Sequence, residues 1–389
     1  MKTGPMELTT STDALAQFCK RASKFDFVTV DTEFLRETTY WPKLCLLQAA
    51  TPEEAILVDP LADGVSLQPF FDLLGNSKVV KVFHAARQDI EIFVKLSGSV
   101  PSNVFDTQIA ASVCGFGDSV SYDNLVRSVT GVDLDKSSRF TDWSHRPLSE
   151  KQRLYALADV THLRDIYVKL LEQVTATHRW DWVEDELQTL RSIDTYVVKP
   201  ENAWERLKSK LSRPRDLAAL KVLAAWRERR AQDGDQPRSR VLKDDALIEI
   251  AMQRPTAPEA FDKLRAVQRG YGRSSAAAEI IALMKQVEAL PKGELPPAAE
   301  RYRGPSPKGA VGDLVRVLLK AVSEEHGVAA RIIATSDEID ALVLDDEADV
   351  PALRGWRRKL FGDKALAIKH GRIALAATRK GVREIAIGE

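Results

Sequence analysis

Long apolar runs and cysteine are both scarce in this chain of 389 residues. No stretch of roughly eighteen or more apolar residues occurs, so no transmembrane helix is expected. The first residues, 1–7, lack the apolar core that a secretion signal needs. The three cysteines, Cys19, Cys45 and Cys114, are scattered, so the sequence predicts neither a disulfide framework nor a cysteine-bound metal. Together these scarcities lead us to expect a cytoplasmic location.

The chain has no net charge, but its charges are unevenly distributed, because 56 Lys and Arg balance 56 Asp and Glu only over the whole length. Residues 1–212 carry 24 basic and 30 acidic side chains, residues 213–293 carry 16 and 11, and residues 301–389 carry 16 and 13. An acidic front followed by mildly basic rear parts is compatible with a metal-dependent enzyme that has polyanion-binding modules. A surplus of this size would equally serve solubility.

An acidic pair is present at the end of a predicted strand. The β-branched run 27–30 predicts a buried strand that leads into Asp31 and Glu33. Side chains two residues apart on a strand point to the same face, so the two carboxylates would lie side by side. A divalent cation with oxygen ligands, typically Mg²⁺ or Mn²⁺, would relieve their repulsion. Taken alone, such a tripeptide is more commonly a cap followed by a solvated side chain.

Two further acidic positions fall on predicted helices. Asp89 lies in the first turn of a helix expected over 87–96, where an acidic residue also simply complements the helix dipole. Tyr155 and Asp159 share one face of a long helix that begins near Ser149 with a capping box. A buried Asp there is costly unless it is paired or bound to a metal. The four carboxylates could therefore converge on a two-metal site that hydrolyses a phosphodiester.

These three segments resemble the three motifs of the DEDD 3′–5′ exonucleases, and the Tyr-x-x-x-Asp form of the third resembles the DEDDy subgroup. Over most of residues 8–175 the chain is similar to the ribonuclease D group of this family. The stretches that carry this similarity are Asp31–Glu37, Thr39–Pro42, Leu44–Gln48, His84–Ala85, Phe105–Gln108, Asp142–Ser144 and Arg146–Leu148.

The resemblance implies an α/β, ribonuclease H-like fold with a mixed sheet and flanking helices. It also implies two divalent ions and stepwise release of nucleoside 5′-monophosphates from the 3′ end of RNA, such as a tRNA precursor. By this resemblance Asp31, Glu33 and Asp159 hold the first ion, Asp31 also bridges to the second ion, and Asp89 reaches that second ion. Tyr155 would position the attacking water.

Three residues are candidates for binding the substrate. Phe34 could stack on a base, but it alternates to the other strand face from Glu33, which favours packing in the core. His84 could contact RNA or be a structural histidine, and the two interpretations stand about equal. Arg240 belongs to a run of basic residues at 227–243, and a similar run occurs at 354–359. Each run is either a set of phosphate contacts or a solvated helix face.

The rear of the chain has helical patterning and a proline-containing break. Residues 237–247 resemble part of an HRDC domain, a small helical module found in ribonuclease D and in RecQ-type helicases. Residues 331–337 faintly repeat residues 240–245, which suggests a second copy. The predicted divisions are an exonuclease domain with a helical extension at 1–212, an all-α HRDC domain at 213–293, a linker at 294–305 and a second all-α HRDC-like domain at 306–389.

Other functions were weighed against the same residues. A DNA 3′–5′ exonuclease would use the same carboxylates, and a non-catalytic RNA-binding protein could retain the fold. A binder has no reason to keep four converging carboxylates, so the sequence favours an enzyme. A helicase is disfavoured because no Gly-x-x-x-x-Gly-Lys-Ser/Thr phosphate loop occurs. No membrane contact is expected, and no obligate protein partner is evident.

Overall fold

A computed structural model describes residues 8–209, 211–297, 309–379 and 381–387 of the chain. Within this part the chain forms two bodies, one built from residues 8–33, 44–193 and 309–387 and the other from residues 34–43 and 194–297. Most of the linker predicted at 294–305 lies outside the described residues. Among the described helices, none combines the length and the apolar character needed to cross a membrane.

A six-stranded mixed sheet forms the centre of the first body. The edge strand β1 pairs in parallel with β4, β3 and β4 pair antiparallel, and β2, β5 and β6 run parallel to one another. The sheet order is β1-β4-β3-β2-β5-β6, which confirms the predicted mixed sheet. The strands are β1 (Leu8–Thr9), β2 (Phe27–Leu35), β3 (Lys43–Ala50), β4 (Ala55–Val58), β5 (Val80–Phe83) and β6 (Val104–Asp106).

In the described part of the first body, seven α-helices precede the C-terminal residues and accompany this sheet. The first begins after Ser11, whose hydroxyl accepts a hydrogen bond from the backbone N–H of Ala14. The longest has the predicted capping box, in which the side chains of Ser149 and Gln152 bond each other's backbone N–H groups. The helices are α1 (Thr12–Ala22), α2 (Gln68–Gly75), α3 (Arg87–Ser97), α4 (Thr107–Val113), α5 (Tyr122–Thr130), α6 (Glu150–Ala176) and α7 (Trp180–Arg191).

A buried hydroxyl fixes α6 against the sheet. Thr29 lies in the middle of β2 and is fully buried. Its Oγ1 lies 2.7 Å from the carbonyl oxygen of Val160 and 3.2 Å from that of Ala50. Val160 directly follows Asp159, and Thr29 lies two residues before Asp31. This contact therefore holds the acidic end of β2 beside the acidic turn of α6.

The second body is a small helical domain with its own apolar core. Its core includes Leu223 on the first helix, Ile250 on the third and Met284 on the last, all fully buried. A Cβ atom on Gly272 would lie 2.1 Å from the carbonyl oxygen of Pro258, so only glycine fits there. The α-helices are α8 (Pro214–Asp233), α9 (Arg238–Val241), α10 (Asp244–Gln253) and α11 (Ser275–Ala289), with 3₁₀ helices at Pro200–Arg206, Pro258–Lys263 and Tyr271–Arg273.

Residues 309–387, here called the C-terminal module, follow a similar order of elements. As in the second body, a long helix, a single turn and a shorter helix precede a proline-initiated turn. A Cβ atom on Gly362 would clash with the carbonyl oxygen of Ala352, just as one on Gly272 would clash with that of Pro258. The module ends in an antiparallel hairpin, which departs from the all-α prediction. Its elements are α12 (Ala310–His326), α13 (Ala330–Ile333), α14 (Ser336–Leu344), α15 (Gly355–Arg357), α16 (Asp363–Lys369), β7 (Ile373–Thr378) and β8 (Gly381–Ala386).

The C-terminal module packs on helix α7 of the same body. Trp356 stacks on Trp182 of α7, with ring centroids 4.3 Å apart and planes inclined by 12°. Beside them Arg357 is buried, lies 3.2 Å from the carboxylate of Asp185 and also pairs with Glu186. The sequence left residues 354–359 open as phosphate contacts or as a solvated helix face. The burial of Arg357 in this interface fits neither alternative for this residue.

Candidate active site

Three of the predicted carboxylates form one cluster. Asp31 and Glu33 come from β2, and Asp159 comes from α6. Each offers a carboxylate oxygen that lies within 4.8 Å of the other two. Since a divalent ion binds oxygen ligands at about 2.0–2.6 Å, three oxygens at this separation can share one ion. The placement agrees with the prediction that Asp31 and Glu33 share a strand face.

Asp89 is joined to this cluster through a threonine. It lies in the first turn of α3 and is buried. The hydroxyl of Thr32, between the two acidic residues of β2, donates a hydrogen bond to the Asp89 carboxylate. Asp89 and Asp31 lie close enough for the charge of Asp31 to raise the pKa of Asp89. The fourth carboxylate thus borders the other three.

The turn before α3 is held by a residue whose role the sequence did not indicate. Ala85 adopts a left-handed conformation with φ of 59°, which is uncommon for alanine. The carboxylate of Asp106 accepts hydrogen bonds from the backbone N–H groups of Ala85 and Ala86, at 3.1 and 2.8 Å. The same carboxylate caps the start of α4. Asp106 therefore positions the helix that carries Asp89 and does not belong to the acidic cluster.

The site concentrates negative charge in a partly dry environment. Burial raises the pKa of Asp31 to about 7. Burial, followed by the charges of Asp31, Asp159 and Asp89, raises the pKa of Glu33 to about 10. The pKa values of Asp89 and Asp159 are also raised, first by burial and then by Asp31. The charged form of all four carboxylates is therefore destabilised, and a bound cation would stabilise it.

Tyr155 lies one helical turn before Asp159 and bonds to its carboxylate. Burial and the charges of Asp159, Glu33 and Asp31 raise the pKa of its hydroxyl above the usual value. The hydroxyl therefore keeps its proton at neutral pH and donates a hydrogen bond to the Asp159 carboxylate. The buried ring of Trp143 lies 6.0 Å from the Tyr155 ring and is tilted to it by 38°. Trp143 thus limits how far Tyr155 can move.

A positively charged side chain, that of Arg139, faces this acidic group from the loop before α6. The charge of Arg139 lowers the pKa values of Glu33, Asp159 and Tyr155, and so opposes the effect of burial on each. Sequence reasoning missed this residue because no regular pattern surrounds it. The only signal was its nearness to the motif stretch that starts at Asp142.

The three candidate substrate contacts lie in different settings. Both ring nitrogens of His84 have protein partners, with Nδ1 3.0 Å from the Thr107 hydroxyl and Nε2 3.1 Å from the Val120 carbonyl oxygen. Burial lowers the pKa of His84, which keeps the ring neutral. Phe34 is half-buried, whereas Arg240 is exposed; both belong to the second body.

Comparison with known proteins gives first the class and then the family. The family model described as 3′-5′ exonuclease matches residues 6–175, and the HRDC domain model matches residues 216–282. The carboxylate cluster and sheet described above lie within the first match, so the chain is a 3′–5′ exonuclease with an HRDC domain. Relatives that are about half identical over almost the whole chain define the family more closely.

Ribonuclease D of Nitrobacter hamburgensis is 51% identical over 95% of this chain and 97% of the relative. Ribonuclease D of Gluconacetobacter diazotrophicus is 48% identical over 97% of this chain and 96% of the relative. The crystal structure of Escherichia coli RNase D, described as an exoribonuclease involved in structured RNA processing, superposes with a TM-score of 0.83 at 31% identity, covering 94% of this chain and 99% of that one. The chain belongs to the ribonuclease D family and is an exoribonuclease.

Proposed function

We propose that this exoribonuclease removes nucleoside 5′-monophosphates one at a time from the 3′ end of RNA, with two divalent cations held by Asp31, Glu33, Asp89 and Asp159. The observation that carries the proposal is the approach of three of these carboxylates to within 4.8 Å of one another. Asp89 is bonded to Thr32, between the two ligands of β2, and completes the set. Two-metal nucleases clamp the attacking and leaving oxygens of a phosphodiester in such sites.

The donor set fits hard divalent cations. All four groups are carboxylates, and oxygen ligands suit Mg²⁺ and Mn²⁺ better than soft metals. Their raised pKa values reflect unrelieved repulsion and burial, both of which a bound cation offsets. We propose that Asp31 contacts both ions, because its charge acts on Glu33, Asp89 and Asp159 alike.

When bound, the ions would supply an activated water and neutralise charge on the departing 3′ oxygen. The chain's own contribution at this step is orientation. Tyr155 donates a hydrogen bond to Asp159, so the lone pairs of its hydroxyl oxygen can accept a hydrogen bond from the attacking water. Its raised pKa excludes Tyr155 as a general base near neutral pH. We therefore assign Tyr155 the role of positioning the water.

Structured RNA, including tRNA precursors, is the proposed substrate. The HRDC domain, and the C-terminal module as a second domain of this kind, would hold the RNA body. Arg240 is the proposed phosphate contact because it is exposed. By contrast, Arg227 is buried against Asp244 and the Leu242 carbonyl oxygen, and is therefore unavailable to RNA.

Phe34 and His84 have weaker support as substrate contacts. The half-buried ring of Phe34 retains some exposed surface for a base. His84 already contacts Thr107 and Val120, which supports the structural alternative for this residue. We keep both as proposals that single substitutions can test, with turnover of short RNA as the measurement.

One experiment tests the proposed function. The full chain is incubated with 3′-labelled and 5′-labelled RNA and DNA of the same sequence, with Mg²⁺ or Mn²⁺ and with a chelator. We expect labelled mononucleotides at once from 3′-labelled RNA, a ladder from 5′-labelled RNA and no products with chelator. The Asp31→Asn variant is the matched control. Release of labelled oligonucleotides from the 3′-labelled RNA, or equal cleavage in chelator, would overturn the proposal, and faster cleavage of DNA would favour the DNA exonuclease.

A further inference from the structure

An aromatic side chain near the acidic cluster is almost completely exposed. Phe140 has 90% of its surface accessible, more than any other large hydrophobic side chain in the described part of the chain. Isolated exposed hydrophobic residues are common and need no explanation by themselves. Phe140, however, lies three residues before Trp143, which packs against Tyr155. Its position next to the proposed catalytic residues makes its exposure informative.

The segment that presents Phe140 is firmly anchored on both sides. Ser138 is buried, and its carbonyl oxygen accepts hydrogen bonds from both the backbone N–H and the hydroxyl of Thr141, at 3.2 and 2.8 Å. Gln152 of α6 in turn donates to the Thr141 hydroxyl at 3.1 Å. Arg139 and Phe140 therefore occupy the two central positions of a turn tied to α6. The turn holds them in place, so their exposure does not result from a loose loop.

Arg139 lies beside the exposed ring and carries a positive charge, opposite to that of a phosphate. Its guanidinium carbon is 5.1 Å from the centroid of Phe140. Within the described ranges it has no carboxylate partner in an ion pair, unlike Lys136 of the same loop, which pairs with Asp123. Its charge nevertheless acts on Glu33 and Asp159. An unpaired cation close to a site for phosphodiesters is well placed for a phosphate.

We infer that Arg139 and Phe140 form a nucleotide-binding contact at the entrance of the acidic cluster, with Phe140 stacking on a base near the RNA 3′ end and Arg139 binding a neighbouring phosphate. This inference rests on the proposed function and adds a contact for the substrate. Every base has a flat face, so stacking on Phe140 tolerates any sequence. The contact therefore suits an enzyme that removes successive nucleotides of different kinds.

The inference is tested by combining protein variants with altered RNA. Phe140→Ala is compared with wild type on short single-stranded RNA and on two versions that lack either the terminal or the penultimate base. We expect Phe140→Ala to raise KM about tenfold on intact RNA. We also expect little further effect on one of the two abasic versions, since the base that Phe140 contacts is already missing. Phe140→Tyr, which keeps a flat ring, should retain the wild-type KM.

Arg139 and a control position complete the experiment. Arg139→Gln should raise KM and reduce the slope of log affinity against log salt by about one. Val168→Ala changes an exposed apolar residue of α6 far along the helix and should leave KM unchanged. An unchanged KM for Phe140→Ala, or an equal loss on intact RNA and both abasic RNAs, would overturn the stacking contact.

Binding measurements separate this inference from the proposed function. Affinity for the same RNAs is measured in the Asp31→Asn background, where turnover is not needed. We expect the base-dependent loss from Phe140→Ala to persist there. If wild type failed to release mononucleotides, the proposed function would fall whatever the binding data showed. If turnover were normal but the base-dependent loss were absent in both backgrounds, only the contact at Arg139 and Phe140 would be wrong.

Discussion

The hydroxyl of Thr32 donates a hydrogen bond to the carboxylate of Asp89. This bond joins the strand that carries Asp31 and Glu33 to the helix that carries the fourth carboxylate. Thr32 is buried, so a lost hydroxyl could not be replaced freely by solvent. The bond therefore orients a proposed metal ligand without itself touching the metal.

Replacing Thr32 by Val should lower activity while keeping the fold. Valine has the shape of threonine but cannot donate, so Asp89 loses its orienting partner. We expect turnover to fall about 10- to 100-fold, as is usual for outer partners of metal ligands. Thr32→Ser keeps the hydroxyl and should remain near wild type. If Val and Ser variants had equal rates, the hydrogen bond would have no orienting role.

Replacing Asp31 by Asn should abolish release of mononucleotides and leave RNA binding largely intact. The substitution removes the charge of Asp31, which acts on each of the other three carboxylates. Both proposed ions therefore lose a ligand. We expect turnover to fall by more than about 100-fold. Loss of a residue that only hydrogen-bonds a metal ligand already lowers activity by up to about 100-fold, and Asp31 is a proposed ligand itself. RNA affinity, measured by fluorescence anisotropy, should be unchanged or tighter. Normal turnover in this variant would contradict the two-metal proposal.

The metal-free chain should lose stability as the pH rises, because of Asp31. Its pKa is raised from 3.8 to about 7, so the folded state binds the proton more tightly than the unfolded state. This group therefore disfavours folding progressively between pH about 4 and 7. With chelator present, the melting temperature of wild type should fall further between pH 5 and pH 8 than that of Asp31→Asn. Identical profiles for the two proteins would contradict the raised pKa.

Replacing Tyr155 by Phe should lower turnover more than RNA affinity. The ring and its packing on Trp143 are kept, whereas the hydroxyl that bonds Asp159 is lost. Removal of one positioning group usually costs a factor of about 10²–10³ in rate. Single-turnover rates and binding constants for the same RNA give the comparison. An equal loss in rate and affinity would indicate damage to the fold instead.

Replacing Arg357 by Ala should destabilise the first body. The side chain is buried between Asp185 and Glu186 and also donates to the Ile332 carbonyl oxygen. Asp185 and Glu186 are partly exposed and can be solvated when Arg357 is lost, so we expect a cost of about 1.5–3 kcal/mol, as for hydrogen bonds to charged groups. Urea unfolding measures this loss. The neighbour Arg358, whose pair with Asp363 is exposed, provides a matched control with an expected change of about 0.5 kcal/mol or less.

The packing of Arg357 also changes how the role of the rear domains is tested. Removal of everything after residue 212 would be expected to weaken binding of a whole tRNA more than of a short strand. Such a truncation would also uncover Trp182 and Glu186 in the first body. Arg240→Gln avoids this effect because Arg240 is exposed. It should weaken tRNA binding more than binding of a short strand, and equal effects would argue against a holding role.

Local patterns in the sequence were sufficient for most of the front elements. The helix at Arg87–Ser97 and the capping box at Ser149 begin where the sequence predicted, because both signals lie within a few residues. Other features depend on chain segments far apart and could not be predicted. The link between Arg357 and Asp185 spans 172 residues, and a basic residue in a helical run gives no sign of burial. The terminal hairpin was missed because its strands are short and mostly exposed.

The sequence by itself determined the chemical identity of the proposed site: Asp31 and Glu33 must share a strand face, and Tyr155 and Asp159 must share a helix face, because backbone periodicity fixes both relationships. Only the tertiary structure decided that these two faces meet, through the contact of Thr29 with Val160, and that Thr32 joins Asp89 to them. The tertiary structure also decided which arginine side chains are accessible to a substrate. Arg139 faces Glu33 of β2 and Arg357 is buried beside Glu186 of α7, and in each case the two residues lie far apart in the sequence.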